Sequence, residues 1–492
     1  MKIYNTLTRR KEVFTPLAGD SVRMYVCGVT VYDLSHVGHA RSAIVFDVIR
    51  RYLALCGYQV RFVKNFTDVD DRIIRRASEE GVPAAVISER FIEEYRRDMA
   101  ALGVAAADAE PKATEHIAAM IELIERLIAK HVAYRVDGDV YFEVRRFPGY
   151  GKLSGKKLEE LLAGIRVEVD ERKRDPLDFA LWKASKPGEP VWESPWGPGR
   201  PGWHIECSAM SMHYLGESFD IHGGGEDLIF PHHENEIAQS EAATGRPFSR
   251  FWIHNGFVNL GSEKMSKSLG NVRRVRELVH DHDPEAIRLS LLGAHYRHPL
   301  EFSEERIGEA RRGLDRFRTL FDAADRLASR GAPAPGSAGG LVDELASLRE
   351  RFTASMDDDF NTPQAIAALF DMASALHAYH AALEKGDRPT GPFLIGVDEV
   401  LTLGRVLGLF EKTSEAAGPP GEILERIEKL VRARDDARAR RDWRTADALR
   451  AELQALGATT EDTPHGTRSP GMAPARPASE RCVDSPERRV VP

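Results

Sequence analysis

Ser21-Val22-Arg23-Met24-Tyr25-Val26-Cys27 is short, β-branched and aromatic, and it reads as a strand. Gly28 follows, and a polar loop runs on to His36-Val37-Gly38-His39. From Ala40 the apolar residues Ile44, Val45, Val48, Ile49, Leu53 and Leu55 recur at helical spacing. Gly57 closes that helix, and Gln59 to Lys64 reads as the next strand. A strand–loop–helix–strand unit builds a parallel sheet, so the fold class is α/β. His36 to His39 then lie at or near a helix N-terminus, where free amides and the helix dipole favour phosphate. No GxGxxG or Walker lysine motif stands here, which weakens the dinucleotide and P-loop readings.

A second motif, Lys264-Met265-Ser266-Lys267-Ser268, lies past the middle of the chain. Alone, the histidines read as well as capping residues and the lysines as a solvated turn. As an ordered pair they point to activation of a carboxylate by ATP. Attack on the α-phosphate expels pyrophosphate, whose growing negative charge calls for fixed cations and N–H donors. Imidazoles at a helix entrance and ammonium groups on a loop meet that need.

Further stretches give the pair its setting. Met24-Tyr25-Val26-Cys27-Gly28-Val29-Thr30-Val31-Tyr32-Asp33 precedes the first motif. Gly202-Trp203-His204-Ile205-Glu206-Cys207-Ser208-Ala209-Met210 and His222-Gly223-Gly224-Gly225-Glu226-Asp227-Leu228-Ile229-Phe230-Pro231-His232-His233-Glu234-Asn235-Glu236 lie between the two. The paired motifs resemble the HIGH and KMSKS signatures of class I aminoacyl-tRNA synthetases, with Val37 in place of isoleucine. The added stretches resemble the cysteinyl-tRNA synthetase family, over about residues 1 to 468.

The cysteines are Cys27, Cys56, Cys207 and Cys482. Met1-Lys2-Ile3-Tyr4 does not look like a secretory segment, so a disulfide framework is not expected. His232 and Glu236 are four apart, which puts both on one helix face, and Pro231 suits a first helical position. Two thiolates, an imidazole and a carboxylate can hold zinc. Read from the residues alone, Cys27 and Cys207 are more readily small buried apolar groups, and His232 with Glu236 a surface pair. The resemblance implies that Cys27, Cys207, His232 and Glu236 are the zinc ligands. It also implies a reason for the metal. Serine is nearly the shape of cysteine, and an apolar pocket separates such isosteres by only about a hundredfold. Zinc prefers a soft thiolate, so selection falls at the binding step and needs no editing domain. Cys56 reads as core, and Cys482 as an exposed thiol in a polar tail.

The resemblance extends to other residues. It implies that His36, Gly38, His39 and Lys267 bind ATP, with His36, His39, Lys264 and Lys267 carrying catalysis. It places Thr67, Trp203 and His222 at the amino-acid pocket, although each could equally be core. Gly223-Gly224-Gly225, after the strand-like Phe219-Asp220-Ile221, would admit the adenosine close to the backbone, though ordinary turns use glycines too.

The implied architecture is a class I, Rossmann-like parallel-sheet catalytic domain split by an insertion. An α-helical bundle and a small C-terminal anticodon-binding region follow it. The expected division is 1–115 and 201–260 for the two catalytic halves, with a connective insertion at 116–200. Residues 261–318 form a KMSKS-bearing stem-contact region, 319–415 the bundle, 416–468 the anticodon region and 469–492 a disordered tail. Glu115 to Lys130 carries a helical stripe read as core; Pro284 to Leu292 and Phe302 to Arg326 read as helices. Gly331 to Gly336 and Ala416 to Gly421 read as flexible links. Asp357-Asp358-Asp359-Phe360-Asn361-Thr362-Pro363 reads as a solvated acidic loop opening a helix, with Thr362 as cap.

Composition agrees. The 492 residues suffice for three or more domains, and 42% are hydrophobic. No apolar run approaches the ~20 residues of a bilayer span, so a soluble cytoplasmic protein with no membrane partner is expected. A net charge of −8 suits tRNA poorly, so any RNA surface must be a local basic region. Arg432, Arg434, Arg438, Arg440, Arg441, Arg444 and Arg450 crowd the segment Ile423 to Leu456, read as two helices meeting near Asp442-Trp443. Charge pattern alone leaves a salt-bridged solvated pair as an equal reading; the resemblance favours anticodon binding. It implies as partners L-cysteine, tRNA and ATP with Mg2+, one Zn2+ per chain, and a monomer. The alternatives are an ATP-dependent cysteine:amino-sugar ligase, which lacks the long C-terminal region, and a catalytically inactive RNA-binding paralogue.

Overall fold

The computed structural model describes residues 1–158, 171–260, 263–264, 272–329, 340–411, 420–455, 461–463 and 466–468. The expected link at 331–336, residues 416–419 of the link expected at 416–421, the tail at 469–492, Cys482, and Met265 to Ser268 lie outside the described residues, and Pro420 and Gly421 already belong to a helix.

The chain opens its catalytic core with β1 (Ser21–Thr30), α1 (Val37–Leu55) and β2 (Gln59–Thr67). After a long excursion it returns with α2 (Trp203–Leu215), β3 (Phe219–Gly225), α3 (Glu234–Thr244) and β4 (Ser249–Asn255). The four strands form one parallel sheet in the order β4-β3-β1-β2. The strand after β2 therefore adds on the far side of β1. That reversal opens a crevice at the carboxyl ends of β1 and β3, where open α/β sheets bind ligands.

Alternation along β1 sends Val22, Met24 and Val26 into one apolar layer and Tyr25 and Cys27 into the other. The first layer takes Ile44, Val45, Val48, Ile49 and Leu53 of α1. The second takes Ile205, Cys207, Ala209 and Met210 of α2 and Ile237 and Ala238 of α3. Leu55, expected on the apolar stripe, is exposed at the end of α1.

The excursion contains the helices Asp71–Glu80, Ala84–Ala101 and Ile117–Ala129. It also carries an antiparallel sheet of Ala133–Val136, Asp139–Phe142, Phe179–Ala184 and Gly199–Pro201, in sequence order. Ile117, Met120, Ile124 and Leu127 are buried, as the core reading of that stripe expects. After β4, Val258–Leu260 pairs with Glu263–Lys264 and with Leu300–Phe302. Phe302 thus ends a strand, and the helix expected from it begins at Glu304, where Ser303 Oγ accepts from the Arg306 amide at 3.3 Å.

Helices Glu304–Ala328, Leu341–Asp357, Thr362–Leu383 and Thr390–Val406 form the bundle. A buried ion pair, Arg288 with Asp47, joins helix Pro284–Leu292 to α1, and Arg288 Nε donates to Leu407 O at 2.6 Å. The acidic loop departs from expectation. Asn361, not Thr362, caps the helix: its Oδ1 accepts from Gln364 N at 3.3 Å. Asp359 is fully buried, accepting from Tyr4 N, Tyr296 Oη and Arg297 Nε at 2.8, 2.8 and 2.7 Å. It is a tie between chain segments rather than a solvated loop residue. Among the described residues no helix is long and apolar enough to cross a membrane.

Candidate active site

Cys27 reaches the crevice because β1 bulges there. The register passes from Val26↔Lys64 to Val29↔Phe66, so Cys27 and Gly28 together oppose Asn65. A Cβ on Gly28 would lie 1.5 Å from Asn65 O, so that approach requires glycine. The Gly28 amide donates to Asn65 Oδ1 at 2.8 Å.

Cys207 comes from α2, and Glu236 from the first turn of α3. His232 lies just before α3, in a wide helical turn over Ile229–His233. Pro231 sits inside that turn rather than at the first position of a regular helix, because Phe230 has extended backbone (φ −141°, ψ 131°). The four-residue contact survives: His232 Nε2 lies 3.1 Å from Glu236 Oε1. Cys27 Sγ donates to the same oxygen at 3.3 Å. The ligand atoms of Cys27, Cys207, His232 and Glu236 all lie within 4.8 Å of one another.

This set fits a metal. Tetrahedral zinc holds its ligand atoms about 3.3 to 3.8 Å apart. Glu236 is fully buried; its Oε2 makes no hydrogen bond among the described residues and lies 3.4 Å from His222 Nε2, which leaves acceptor capacity within the cluster. Burial pushes the Cys27 thiol well up, aided by Cys207, and raises that of Cys207. Burial holds His232 well below the ordinary imidazole range, so it presents a neutral lone pair. A cation would draw both thiols to thiolate.

A second set shares the cluster: Cys27, His222, His233 and Glu236 also fall within 4.8 Å. His222 Nε2 is 3.5 Å from Cys27 Sγ, and its ring stacks on Trp252 at 4.4 Å. His233 Nε2 stands 3.9 Å from Glu236 Oε1, while its Nδ1 shares a 2.8 Å hydrogen bond with His254 Nε2. His232 Nδ1 shares a 2.9 Å bond with His204 Nδ1, and Trp203 stacks on His232 at 4.3 Å. Sequence reasoning assigned no role to His204, His233, His254 or Asn65. His204 and His233 stand inside the quoted stretches; His254 and Asn65 gave no local signal, being brought in by β4 and β2. Trp203 and His222 thus reach the cluster directly. Thr67, 2% exposed, ends β2 at the same edge of the sheet.

The His36–His39 motif lies at the start of α1. Helix α1 begins at Val37, three residues before the expected start, with His36 as its cap: Nδ1 accepts from Gly38 N at 3.1 Å. His39 Nδ1 accepts from His36 N at 3.4 Å, and the two rings stack at 3.7 Å. Lys264 ends the short strand paired with Val258–Leu260; Lys267 lies outside the described residues. The chain beyond returns to the first motif: Val37 N donates to Arg273 O at 3.1 Å and Val275 N to Ser35 O at 3.0 Å. Both flanks of residues 265–271 are therefore fixed, one of them against His36.

The glycine triplet departs from expectation. Gly223, Gly224 and Gly225 belong to strand β3 itself. A Cβ at Gly223 would meet Phe46 at 2.3 Å, and one at Gly224 would meet Leu228 at 2.9 Å and His233 at 3.0 Å. These two glycines let α1 and the histidine turn pack on the sheet. In the C-terminal region the helices are Pro420–Ala439 and Trp443–Ala455, and Trp443 is 59% exposed at the start of the second.

The sheet, the helix-capping histidine and the thiol–imidazole–carboxylate cluster sit in a fold that class I aminoacyl-tRNA synthetases share. The fold agrees: a Mycobacterium tuberculosis methionyl-tRNA synthetase in complex with methionyl-adenylate superposes with a TM-score of 0.65 over 80% of this chain and 92% of that one, at 18% identity. The family model for the class I (C) catalytic domain of tRNA synthetases matches residues 13–312, a DALR domain 351–411, and a cysteinyl-tRNA ligase anticodon-binding domain 421–467. The cysteine–tRNA ligase of Geobacter sulfurreducens is 53% identical, covering 95% of this chain and 98% of that protein. That of Geobacillus thermodenitrificans is 51% identical, covering 95% and 98%. The chain belongs to the cysteinyl-tRNA synthetase family.

Proposed function

We infer that this protein joins L-cysteine to its tRNA in an ATP-dependent reaction, through cysteinyl-adenylate and with release of AMP and pyrophosphate. The observation that carries the reading is kinship over nearly the whole chain, including the anticodon-binding region, with cysteine–tRNA ligases. That region argues against the amino-sugar ligase, and the presence of His36, His39, Lys264 and Lys267 argues against an inactive paralogue.

The proposed metal ligands are Cys27, Cys207, His232 and Glu236; their mutual distances support the set. Bound there, one Zn2+ would supply a soft Lewis acid that takes the thiolate of cysteine in preference to the hydroxyl of serine. Thr67, Trp203 and His222 line the amino-acid pocket. Trp203 walls it and His222 hydrogen-bonds the substrate, and ring stacking on His232 and Trp252 keeps them in place. The cysteine carboxylate attacks the α-phosphate of Mg2+-bound ATP. His36, Gly38 and His39 bind the phosphates at the start of α1, while Lys264 and Lys267 stabilise the departing pyrophosphate. The 2′-hydroxyl of the terminal adenosine then takes the aminoacyl group. No side chain is a covalent nucleophile; alignment and fixed charge carry the rate.

The proposed domain division is catalytic halves at 1–115 and 201–260, insertion at 116–200, stem-contact region at 261–318, bundle at 319–415, anticodon region at 416–468 and tail at 469–492, with helix Glu304–Ala328 running across the boundary between stem-contact region and bundle. The protein acts as a monomer in the cytoplasm, where translation takes place. Purified protein with ATP, labelled cysteine and total tRNA tests the reading. Charged tRNA is the expected result. Adenylate without charging would indicate the amino-sugar ligase, and no cysteine-dependent exchange of pyrophosphate into ATP the inactive paralogue.

A further inference from the structure

Arg41 lies on α1, two positions after His39, and is 1% exposed. Its guanidinium faces backbone carbonyls. Nη1 donates to Gly256 O at 2.9 Å and Phe257 O at 2.6 Å; Nη2 donates to His298 O at 2.6 Å and His295 O at 3.3 Å. Burial lowers its pKa to about 10, partly offset by Glu226, so the group is still a cation at neutral pH. A buried cation is costly unless its N–H groups are satisfied, so its placement calls for a reason.

The carbonyls it holds belong to two chain segments that meet at one point. Gly256-Phe257 runs directly into Val258–Leu260, the strand paired with Glu263–Lys264. His298 leads into Leu300–Phe302, the parallel partner of the same strand. The two segments are pressed together: Gly256 N donates to Tyr296 O at 2.8 Å, and a Cβ on Gly256 would lie 2.7 Å from His298 O. The bundle grips the same loop from the other side, through Asp359 with Tyr296 and Arg297. A planar fork can span carbonyls of both segments at once, which a lysine ammonium cannot.

We propose that Arg41 is a positioning residue for adenylate formation: it registers the small sheet that ends at Lys264 against the helix start that presents His36 and His39. The inference rests on the reading of Lys264 as a stabiliser of departing pyrophosphate. Both halves of the triphosphate cradle then hang from one helix, α1, although they are far apart in sequence. A displacement near 1 Å at such a contact costs on the order of a hundredfold in rate.

The test is Arg41→Lys in the full, zinc-loaded chain. Cysteine-dependent pyrophosphate exchange is measured beside cysteine binding by calorimetry. The expected result is a fall of about a hundredfold in exchange kcat with cysteine affinity unchanged, the split that separates transition-state from ground-state effects. Exchange at the wild-type rate overturns the proposal. So does a parallel loss of exchange and cysteine affinity, which marks a general structural role. Arg297→Gln, at the half-exposed outer edge of the same loop, gives a second reading if Arg41→Lys does not fold. It should lower exchange about tenfold, again without touching cysteine affinity, and an unchanged rate there counts against the proposal. Lys264→Ala run alongside separates the two failures. Full exchange in that variant removes the role of Lys264. Lost exchange there, with Arg41→Lys intact, removes only the role of Arg41.

Discussion

At the metal corner Cys27, Cys207, His232 and Glu236 are at most 7% exposed, whereas in the C-terminal helix pair Trp443 is 59% exposed and Arg440, Arg441, Arg444 and Arg450 all face solvent. The first region is a dry setting of short contacts, where the histidines and the backbone beside Cys27 are held by neighbours. His204 holds His232, His254 holds His233, and Asn65 holds the backbone beside Cys27. The second offers charge and a stacking face on two helices, with Asp442 as cap: its Oδ1 accepts from the Thr445 amide at 3.2 Å. Discrimination between sulfur and oxygen needs the first kind of site. Recognition of a large polyanion, where contacts are many and individually modest, suits the second.

The largest break in that contrast should come from the metal corner. Cys207→Ser should lower zinc content, measured by atomic absorption, and reduce cysteine-dependent exchange by more than about a hundredfold. Losing even an outer partner of a metal ligand costs ~10- to 100-fold in affinity or activity. Full zinc occupancy in the variant would remove Cys207 from the ligand set.

Trp443→Ala should act on the other region alone. Base stacking on an aromatic ring is worth about 1–3 kcal/mol, so KM for tRNA should rise roughly 5- to 150-fold while exchange without tRNA stays at the wild-type rate. A matching loss in both assays would place Trp443 in the fold and not at the RNA. Arg444→Gln should weaken charging less at high salt than at low salt, since a phosphate contact is screened.

The smallest effect near neutrality concerns the histidines behind the metal. Burial takes both His204 and His254 down to about 3, against ~6.5 for free imidazole. The unfolded chain binds these protons from about pH 6.5 downward and the folded chain does not until about pH 3. Stability is therefore complete above pH 6.5 and falls as pH drops through that window, by up to roughly 1.4 kcal/mol per unit for each histidine. Denaturant titrations of metal-free protein at pH 7 and pH 5 measure it. His254→Asn should flatten the slope, and an unaltered slope would show that His254 does not contribute.

Much of this was legible in the chain. The run from Ser21 to Lys64 carried its own period, so a parallel α/β unit with histidines at a helix start followed from local propensity and spacing. The Asp442-Trp443 junction was visible for the same reason. The departures share a cause. Asp359 looked solvated because acids in a Pro-flanked loop usually are; Tyr4, Tyr296 and Arg297 arrive from distant segments to bury it. Gly223 and Gly224 looked like a loop; they lie in β3, where Phe46 and His233 take the space a Cβ would need.

The sequence by itself determined the strand–helix–strand unit from Ser21 to Lys64 and most of the later helices, and set the ligand-grade side chains within the chain, because those properties depend on near neighbours. Only the tertiary structure decided that β3 returns beside β1, bringing Cys27 to Glu236, and that Arg41 holds the strand leading to Lys264. Those contacts join residues about two hundred positions apart. They arise from the strand-order reversal and from burial of both faces of the sheet, which no local pattern encodes.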